Sequence, residues 1–330
     1  MLSRVAEAIY WTGRYMERAE STARLIDVNL YLSLDASADY GGQWEPLVRT
    51  GGGQELFARL YPAAERDYVM RFLTFDTNNP NSIMACAWRS RENARAIRDT
   101  LPSEMWEQAN RFYDYLRGCA RDGYVPANPH EFYTDVKMAA HLFDGIADAT
   151  MTRGDAWRFW RLGKMIERAD TTSRILDVKY FILLPHWQGV GSAVDAIQWA
   201  ALLKSASAME MYRKRYRGVS PAKVAGFLIL SQEFPRAIRW CVDCAEDLLC
   251  GLATDHPGDA VAGARRQLES LAQGLCDTQI ENIIERGLHE FLDDLQTRLN
   301  GVHDALARAF FPQIMSLAGA IEMECATPTQ

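Results

Sequence analysis

A sixteen-residue pattern occurs twice in the chain, 150 residues apart, and it constrains the fold more than any other sequence feature. Residues 13–28 and 163–178 are identical at eight of sixteen aligned positions, and most other positions are conservative. Chance would give about one identity in such a stretch. We infer a tandem duplication, with one unit over residues 1–150 and a second over 151–330. Two similar helical units are expected to pack about a pseudo-twofold axis into one fused body.

Two further matches support the repeat. Pro80–Arg98 aligns with Pro221–Arg239 at an offset of 141, with seven identities. The triplet His130-Glu131-Phe132 recurs as His289-Glu290-Phe291. The order of the matched blocks is the same in both halves, as a duplication requires.

The spacing of apolar residues predicts an all-α fold. Apolar positions recur every three or four residues in nine segments, and no alternating strand pattern or hairpin signal is found. Pro235, inside the seventh segment, predicts a kink that lets Arg236 turn inward. The sequence thus predicts a helical bundle built from two tandem units. The predicted helices are residues 2–34, 81–100, 103–120, 130–149, 155–184, 193–216, 221–252, 259–277 and 280–309.

Composition excludes several classes of protein. Apolar residues make up 48% of the chain, which is enough for a sizeable core, and the net charge is −7. A chain of this charge is not expected to bind nucleic acid or an anionic membrane surface. No apolar run approaches the roughly 18–20 residues of a membrane span, and the N-terminus resembles the start of a helix rather than a signal peptide. The seven scattered cysteines favour a reduced, cytoplasmic protein.

The sequence predicts no metal site. Cys241 and Cys244 have CxxC spacing, but a zinc site would need a second cysteine pair or nearby histidines. The Glu-x-x-His motif of di-metal helical bundles is absent.

Each copy of the repeat carries a charged stripe along one helix face, because its members are spaced four, three, four and three residues apart. An arginine, Arg18 or Arg168, lies just beside each stripe. The stripes consist of Gly13, Glu17, Glu20, Arg24 and Asp27 in the first copy, and of Gly163, Glu167, Asp170, Arg174 and Asp177 in the second.

Three interpretations of the stripes remain open. They could be solvated faces with i,i+4 ion pairs such as Glu20 with Arg24. They could form a buried salt-bridge network where the two halves meet. They could also form a functional site, in which the acidic residues converge near the pseudo-dyad and Arg24 and Arg174 set their charge or clamp an anionic group. In that third case Glu17 and Glu167 are the candidate catalytic residues.

The second repeated block adds a Glu–Arg pair to each half. Glu92 and Arg95, like Glu233 and Arg236, are three residues apart on a predicted helix. These four residues are further candidates for ligand binding, although a structural ion pair between helices is the favoured interpretation.

The sequence resembles the Alpha-E domain family over essentially its whole length. The resemblance is carried by LSRVAEAIYWTGRYMERAESTARLIDV, NPNSIMACAWRSRENARAIRDTLPSEMW, WRFWRLGKMIERADTTSRILDV and VSPAKVAGFLILSQEFPRAIRWCV. It implies an all-helical fold with glutamates in the ERA motif, here Glu17 and Glu167. It also implies genomic association with circularly permuted ATP-grasp ligases, with transglutaminase-like proteins and sometimes with a proteasome-like peptidase. Any ATP and Mg²⁺ would then act through a separate ATP-grasp protein, because this chain has no such domain.

Two functional hypotheses follow. In the first, the chain is an accessory component of an ATP-grasp-linked system that makes or modifies a peptide or amide bond, and its stripes bind the partner or an amino-containing intermediate. In an enzymatic version, one carboxylate accepts a proton and a neighbouring arginine stabilises negative charge. In the second, the chain is a non-catalytic interaction scaffold with a buried salt-bridge network. The sequence leaves open which is correct, and whether the chain forms a homo-oligomer.

Overall fold

A computed structural model describes residues 1–35, 44–121, 128–183 and 193–311. Within these ranges the chain is all-helical, as predicted, with fifteen helices and no strand. Residues 312–330, which include Cys325 and the end of the predicted second unit, lie outside the described residues. The helices are α1 (Ser3–Asp35), α2 (Glu45–Thr50), α3 (Gln54–Leu60), α4 (Arg66–Thr74), α5 (Ile83–Ala96), α6 (Ser103–Arg121), α7 (Pro129–Thr150), α8 (Asp155–Leu183), α9 (Ala193–Ser205), α10 (Met209–Arg215), α11 (Pro221–Leu230), α12 (Ile238–Asp255), α13 (Asp259–Asp277), α14 (Ile280–Arg286) and α15 (Leu288–Phe310).

The long helices form two rings of four. In the first ring α1 packs on α5, α5 on α6, α6 on α7, and α7 returns to α1. In the second ring α8 packs on α12, α12 on α13, α13 on α15, and α15 returns to α8. Helices α1 and α8 also pack along each other, which joins the rings. The apolar sides of these helices bury one continuous core, with the charged stripes running beside it on α1 and α8.

The two central helices cross where each presents a glycine. A Cβ atom on Gly13 would collide with the carbonyl oxygen of Trp160, and one on Gly163 would collide with that of Tyr10. The two backbones therefore touch, and only glycine allows the contact at either position. This close approach brings Glu17 and Glu167, one turn further along each helix, to the interface.

The segment between α1 and α5 contains three helices that the sequence analysis did not predict. Helices α2, α3 and α4 are six, seven and nine residues long. Segments this short contain too few apolar positions to establish a 3.6-residue period. Tertiary burial of Leu47, Val48 and Phe57 stabilises them instead. The turn Gly51–Gly53 joins α2 to α3.

Three of the predicted helices are each divided in two. The helix predicted over 193–216 is interrupted near Ser207, which has a positive φ of 51°. The helix predicted over 280–309 is interrupted at Gly287, which has a φ of 104°. The prediction of a kink within one helix at Pro235 is wrong. One helix ends at Leu230 and the next starts at Ile238, so Pro235 lies in the loop between them. Arg236 nevertheless turns inward, as predicted.

The alignment of the second repeated block does not match the helix packing. It pairs Pro80 with Pro221, yet Pro221 is in the first turn of α11, whereas Pro80 precedes α5. The proline that precedes the packing counterpart of α5, which is α12, is Pro235. Pro80 and Pro235 each lie three residues before the first residue of their helix. Asn81 and Arg236, which follow these prolines, therefore occupy matching places beside α1 and α8.

No helix in the described part of the chain is long and apolar enough to span a bilayer. The six cysteines among the described residues are free thiols, including Cys241 and Cys244 of the CxxC sequence. Burial raises the pKa of the Cys86 and Cys241 thiols to about 12, so both stay protonated near neutral pH.

Candidate functional site

The stripes of α1 and α8 form two clusters of ion pairs on opposite sides of the helix crossing. The first, which we call the closed cluster, consists of Glu17, Glu20, Arg24, Arg168 and Arg236. The second, the open cluster, consists of Arg14, Arg18, Glu167, Asp170 and Arg174. Each ERA glutamate bonds to the ERA arginine of the other helix, so the two motifs interlock.

In the closed cluster every carboxylate is bound by arginines. Arg168 donates from Nε to Oε1 of Glu17 at 2.8 Å and from Nη2 to Oε2 at 2.7 Å. Arg236 bridges the two carboxylates, donating from Nη1 to Oε1 of Glu17 and from Nη2 to Oε2 of Glu20, each at 2.8 Å. Arg24 forms the predicted i,i+4 ion pair with Glu20. Glu17 and Glu20 are only 3% and 2% exposed, so the closed cluster is sealed from solvent.

The open cluster repeats the first part of this arrangement. Arg18 donates from Nε to Oε1 of Glu167 at 2.6 Å and from Nη2 to Oε2 at 2.9 Å. Arg14 adds a bond from Nε to Oε2 at 2.7 Å. Arg174 donates from Nε to Oδ2 of Asp170 at 2.9 Å, the counterpart of the Arg24–Glu20 pair. No guanidinium corresponding to that of Arg236 joins Glu167 to Asp170 among the described residues.

The place that Arg236 fills in the closed cluster is taken by Asn81 in the open one. Asn81 accepts a bond from Arg18 Nη1 at 2.6 Å and donates to the carbonyl of Gly51 at 3.3 Å. Its side chain is too short to bridge the carboxylates as an arginine does. As a result, Oδ1 of Asp170 is buried without a hydrogen-bond partner in the described structure.

A cavity of about 380 Å³ lies beside these unfilled acceptors. Its walls come from α1, α8, the Gly51–Gly52 turn and the loop before α5. Asp170 lines this cavity and is only 8% exposed, and its unpaired Oδ1 is buried. The polar lining includes Arg18, Ser21, Thr22, Asn81, Glu167, Asp170, Thr171 and Arg174.

The arginines keep the buried glutamates ionised. Burial alone would raise the pKa of Glu17, but the charges of Arg168 and Arg236 outweigh it and hold that pKa far below its usual value. Burial would likewise raise the pKa of Glu167, yet Arg18 and Arg14 lower it to about 2. Burial and the charge of Arg236 lower the pKa of Arg24 to about 9. Both glutamates are thus anions near neutral pH and weak general bases.

The last acidic residue of each stripe lies away from the cavity and contacts a histidine. Asp27 lies 2.7 Å from Nδ1 of His130 and 2.6 Å from Nζ of Lys137. Asp177 lies 2.6 Å from Nδ1 of His289. Neither histidine was among the candidate site residues. The repeated His-Glu-Phe triplet was the sequence signal that could have identified these contacts.

Three of the four candidates from the second repeated block lie outside both clusters. Glu92 pairs with Arg91 and with Arg95, and Arg95 is largely exposed. Glu233 is exposed and lies 4.0 Å from Arg215, so the expected Glu233–Arg236 pair does not form. Arg236 alone enters the interface, because the chain leaves the helical conformation before it.

Sequence reasoning missed four residues at the interface. Arg14 and Lys164 align in the repeat but were not among the candidates, yet Arg14 binds Glu167 and the buried Lys164 pairs with Asp144. Asn81 and Gly52 line the cavity, and no local sequence pattern marked them. No group of three or more His, Cys, Asp or Glu side chains able to hold a metal ion occurs among the described residues.

Comparison with known proteins gives a family but no characterised relative. The chain is 24% identical over 333 residues to the uncharacterised protein Mb2597 of Mycobacterium bovis, and equally to MT2643 and Rv2567 of Mycobacterium tuberculosis. These alignments cover 92% of this chain but only 35% of each relative, so the chain spans about a third of their length. No solved structure matches it.

The family match covers almost all of the described structure. The sequence model of the Alpha-E family, described as a predicted alpha-helical domain with a conserved ER motif, matches residues 1–311. Glu17-Arg18 and Glu167-Arg168 are the ER dipeptides at the helix crossing. With a helical fold over the matched residues and two interlocked ER pairs at its centre, this chain belongs to the Alpha-E family.

Proposed function

We propose that this chain is a helical accessory component of an ATP-grasp-linked peptide or amide synthesis or modification system, and that it binds an amino-bearing compound in the cavity of the open cluster. One observation carries the proposal: Asp170 lines the cavity, and its Oδ1 is buried with no hydrogen-bond partner in the described structure. A buried carboxylate oxygen without a donor is costly, and an ammonium group would satisfy it.

The low pKa values of Glu17 and Glu167 favour binding over catalysis. Each glutamate is already held by two arginines, so neither is a good proton acceptor near neutral pH. Their assignment as catalytic residues stays a prediction. In the proposed function they hold Arg18 and Arg168 in place, and Glu167 supplies negative charge to the cavity. ATP and Mg²⁺ would be bound by a circularly permuted ATP-grasp partner, and a transglutaminase-like protein is a second candidate partner.

The duplication and the cellular location belong to the same proposal. Two rings with the same order of packing, joined at reciprocal glycine contacts, support tandem units over 1–150 and 151–330 related by a pseudo-twofold axis. The free cysteine thiols support a cytoplasmic location, because disulfides are rare in reducing compartments.

A reconstituted reaction tests this function. The full chain would be copurified with the ATP-grasp protein encoded beside it, and the ATP-dependent product would be identified by mass spectrometry. We expect Asp170→Asn to fold normally and to reduce product formation at least about tenfold, because it removes the anionic acceptor. Glu269→Gln, which removes the carboxylate of the exposed Arg265–Glu269 pair on α13, is the matched control. Normal product formation with Asp170→Asn would overturn the proposal.

The closed cluster favours a second candidate function, a non-catalytic scaffold. Its carboxylates are buried, and each is paired with two arginines, as expected of a structural network. If the scaffold is the whole function, Glu17→Gln and Glu167→Gln would reduce folding and partner binding together. No variant of the open cluster that folds normally would then change the product.

A further inference from the structure

We propose that the cavity of the open cluster binds a free α-amino acid with an apolar side chain. The ammonium group would contact Oδ1 of Asp170 and Oε1 of Glu167, and the carboxylate would contact the guanidinium of Arg174. This inference rests on the proposed function, because it names the ligand class of the same cavity.

The closed cluster shows where the cationic end of the ligand belongs. Oε1 of Glu17 accepts from both Arg168 and Arg236, whereas Oε1 of Glu167 accepts only from Arg18 in the described structure. Oε2 of Glu20 accepts from Arg236, whereas the matching Oδ1 of Asp170 has no partner. The two unfilled acceptors are those that a cationic N–H donor occupies on the other side of the crossing. An ammonium group has three such donors.

Charge balance requires the ligand to carry an anion as well. The open cluster contains three arginines and two carboxylates, since Arg14 joins Arg18 and Arg174 there. A purely cationic ligand would add a second excess positive charge to a partly buried site, which is unfavourable. A zwitterion leaves the charge unchanged. A purely anionic ligand would balance the arginines but would leave Oδ1 of Asp170 without a donor.

Arg174 provides the contact for the carboxylate. Its Nε is bonded to Asp170, and its side chain is one-third exposed and lines the cavity. Nη1 lies beside the Gly51–Gly52 turn, where a Cβ on Gly52 would be 3.8 Å away. The absence of a side chain at Gly52 keeps this edge of the guanidinium accessible. Because Arg174 is bonded to Asp170, the guanidinium and the carboxylate lie next to each other. The carboxylate and ammonium of an α-amino acid are also adjacent, so one ligand could contact both residues.

The apolar residues of the cavity wall indicate which side chain the amino acid would carry. Leu25, Leu47 and Leu73 line it, and the volume of about 380 Å³ falls within the range typical of small-molecule sites. The lining also includes the hydroxyl residues Ser21, Thr22, Thr50 and Thr171, so the leucines form one apolar patch of this wall. An amino acid such as L-leucine would bury its side chain against them, whereas L-glutamate and L-lysine would lose solvation there.

Isothermal titration calorimetry with the full chain tests each end of the ligand. The probes are L-leucine, isoamylamine, which lacks the carboxylate, and N-acetyl-L-leucine, which lacks the ammonium; L-glutamate tests the side chain. We expect L-leucine to bind at least about tenfold more tightly than each of the other three, because each lacks one favourable contact. Asp170→Asn and Arg174→Gln should each weaken L-leucine at least about tenfold, and Glu269→Gln should leave it unchanged.

Asn81→Arg provides an independent variant that leaves all the proposed ligand contacts in the chain. It places an arginine where Arg236 lies in the closed cluster, and we expect it to fill the ammonium position and abolish L-leucine binding. Circular dichroism and thermal unfolding would establish that each variant is folded.

The outcomes separate this inference from the proposed function. Equal binding of isoamylamine and L-leucine would show that the ligand needs no carboxylate. The inference of a zwitterionic ligand would then be wrong, and the cavity would be a site for amines. Equal binding of N-acetyl-L-leucine would overturn both, because no amine would be needed. If L-leucine did not bind, the inference would be wrong, whereas the proposed function would still be decided by the product formed with the ATP-grasp protein.

Discussion

The closed and open clusters are built from similar parts and differ at two places: Asn81 takes the place of Arg236, and Arg14 binds Glu167 whereas its counterpart Lys164 pairs with Asp144. In both, an ERA glutamate binds the ERA arginine of the opposite helix in a two-bond pair, and an acidic residue three positions later pairs with an arginine four positions beyond it. Arg236 bridges the carboxylates of the closed cluster, whereas Asn81 stands in the matching place of the open cluster. The comparison is the basis of our proposal that one half of the interface maintains the fold while the other half binds a ligand.

Side-chain length explains the difference. The guanidinium of Arg236 reaches two carboxylates from a loop, because the chain is not helical between α11 and α12. The amide of Asn81 reaches only Arg18 and the carbonyl of Gly51. It therefore positions Arg18 and leaves the two carboxylates of the open cluster unbridged. In our proposal, the closed cluster is an internal model of the complex that the open cluster forms with a ligand.

The strongest test of the comparison is Arg236→Asn, which would give the closed cluster the residue of the open one. Removing this guanidinium leaves Glu17 and Glu20 buried with fewer partners. We expect a loss of about 3–5 kcal/mol in the free energy of unfolding, measured by urea denaturation. Arg95→Asn, at an exposed arginine, should change it by less than about 0.5 kcal/mol. A cost below about 1 kcal/mol for Arg236→Asn would show that the closed cluster is not structural.

The acidic residues next to the ERA glutamates form a second matched pair. Glu20→Gln removes the charge that Arg236 and Arg24 share, and we expect it to cost about 2–3 kcal/mol. Asp170→Asn removes a carboxylate with an unfilled oxygen, so we expect it to cost less than about 1 kcal/mol in the absence of ligand. Urea denaturation of both variants measures the difference. Equal costs would contradict the division into a structural and a binding half.

Sequence periodicity and repetition predicted much of this arrangement. The 3.6-residue period identified the long helices, and the spacing of the stripes placed their charged residues on one face of α1 and α8. Helix interiors are predictable because the same spacing of buried and exposed positions recurs in every turn. The inward turn of Arg236 was also predicted, since proline disrupts a helix wherever it occurs in its interior.

The cavity could not be predicted, because the walls that face α1 and α8 come from segments with little periodicity. Helix α2 and the Gly51–Gly52 turn are ordered by tertiary contacts, and Asn81 matters only through the distance that its side chain fails to span. The second repeated block was aligned by its identities, which paired Pro80 with Pro221. Only helix packing shows that Pro80 and Pro235 occupy matching places. A contact between helices that are distant in sequence leaves no local pattern.

Asn81→Arg tests the comparison in the reverse direction. The new guanidinium would bridge Glu167 and Asp170, but it would join three arginines already present and would lose the Asn81 bonds to Arg18 and Gly51. We expect these effects to offset each other, with a change of less than about 1.5 kcal/mol in the free energy of unfolding, measured by urea denaturation. A larger loss would show that the two places are not equivalent.

The smallest expected effect concerns the far end of the stripes, where Asp177 contacts His289 and Asp27 contacts both His130 and Lys137. The hydrogen bond to Asp177 raises the pKa of His289 above its ordinary value of 6.5. A raised pKa in the folded state stabilises the protein below pH 6.5, and this contribution is lost as the pH rises through the folded-state pKa.

His289→Ala should therefore destabilise the protein more at pH 5.5 than at pH 8.5. We expect the difference to be well under 1 kcal/mol, because the pair is partly exposed to solvent. Urea denaturation at the two pH values measures it, and Asp177→Asn should abolish the pH dependence of the histidine substitution. A larger cost at pH 8.5 would reverse the sign and show that neutral His289 is the form the fold prefers. The end of the second stripe would then be a packing contact instead of an ion pair.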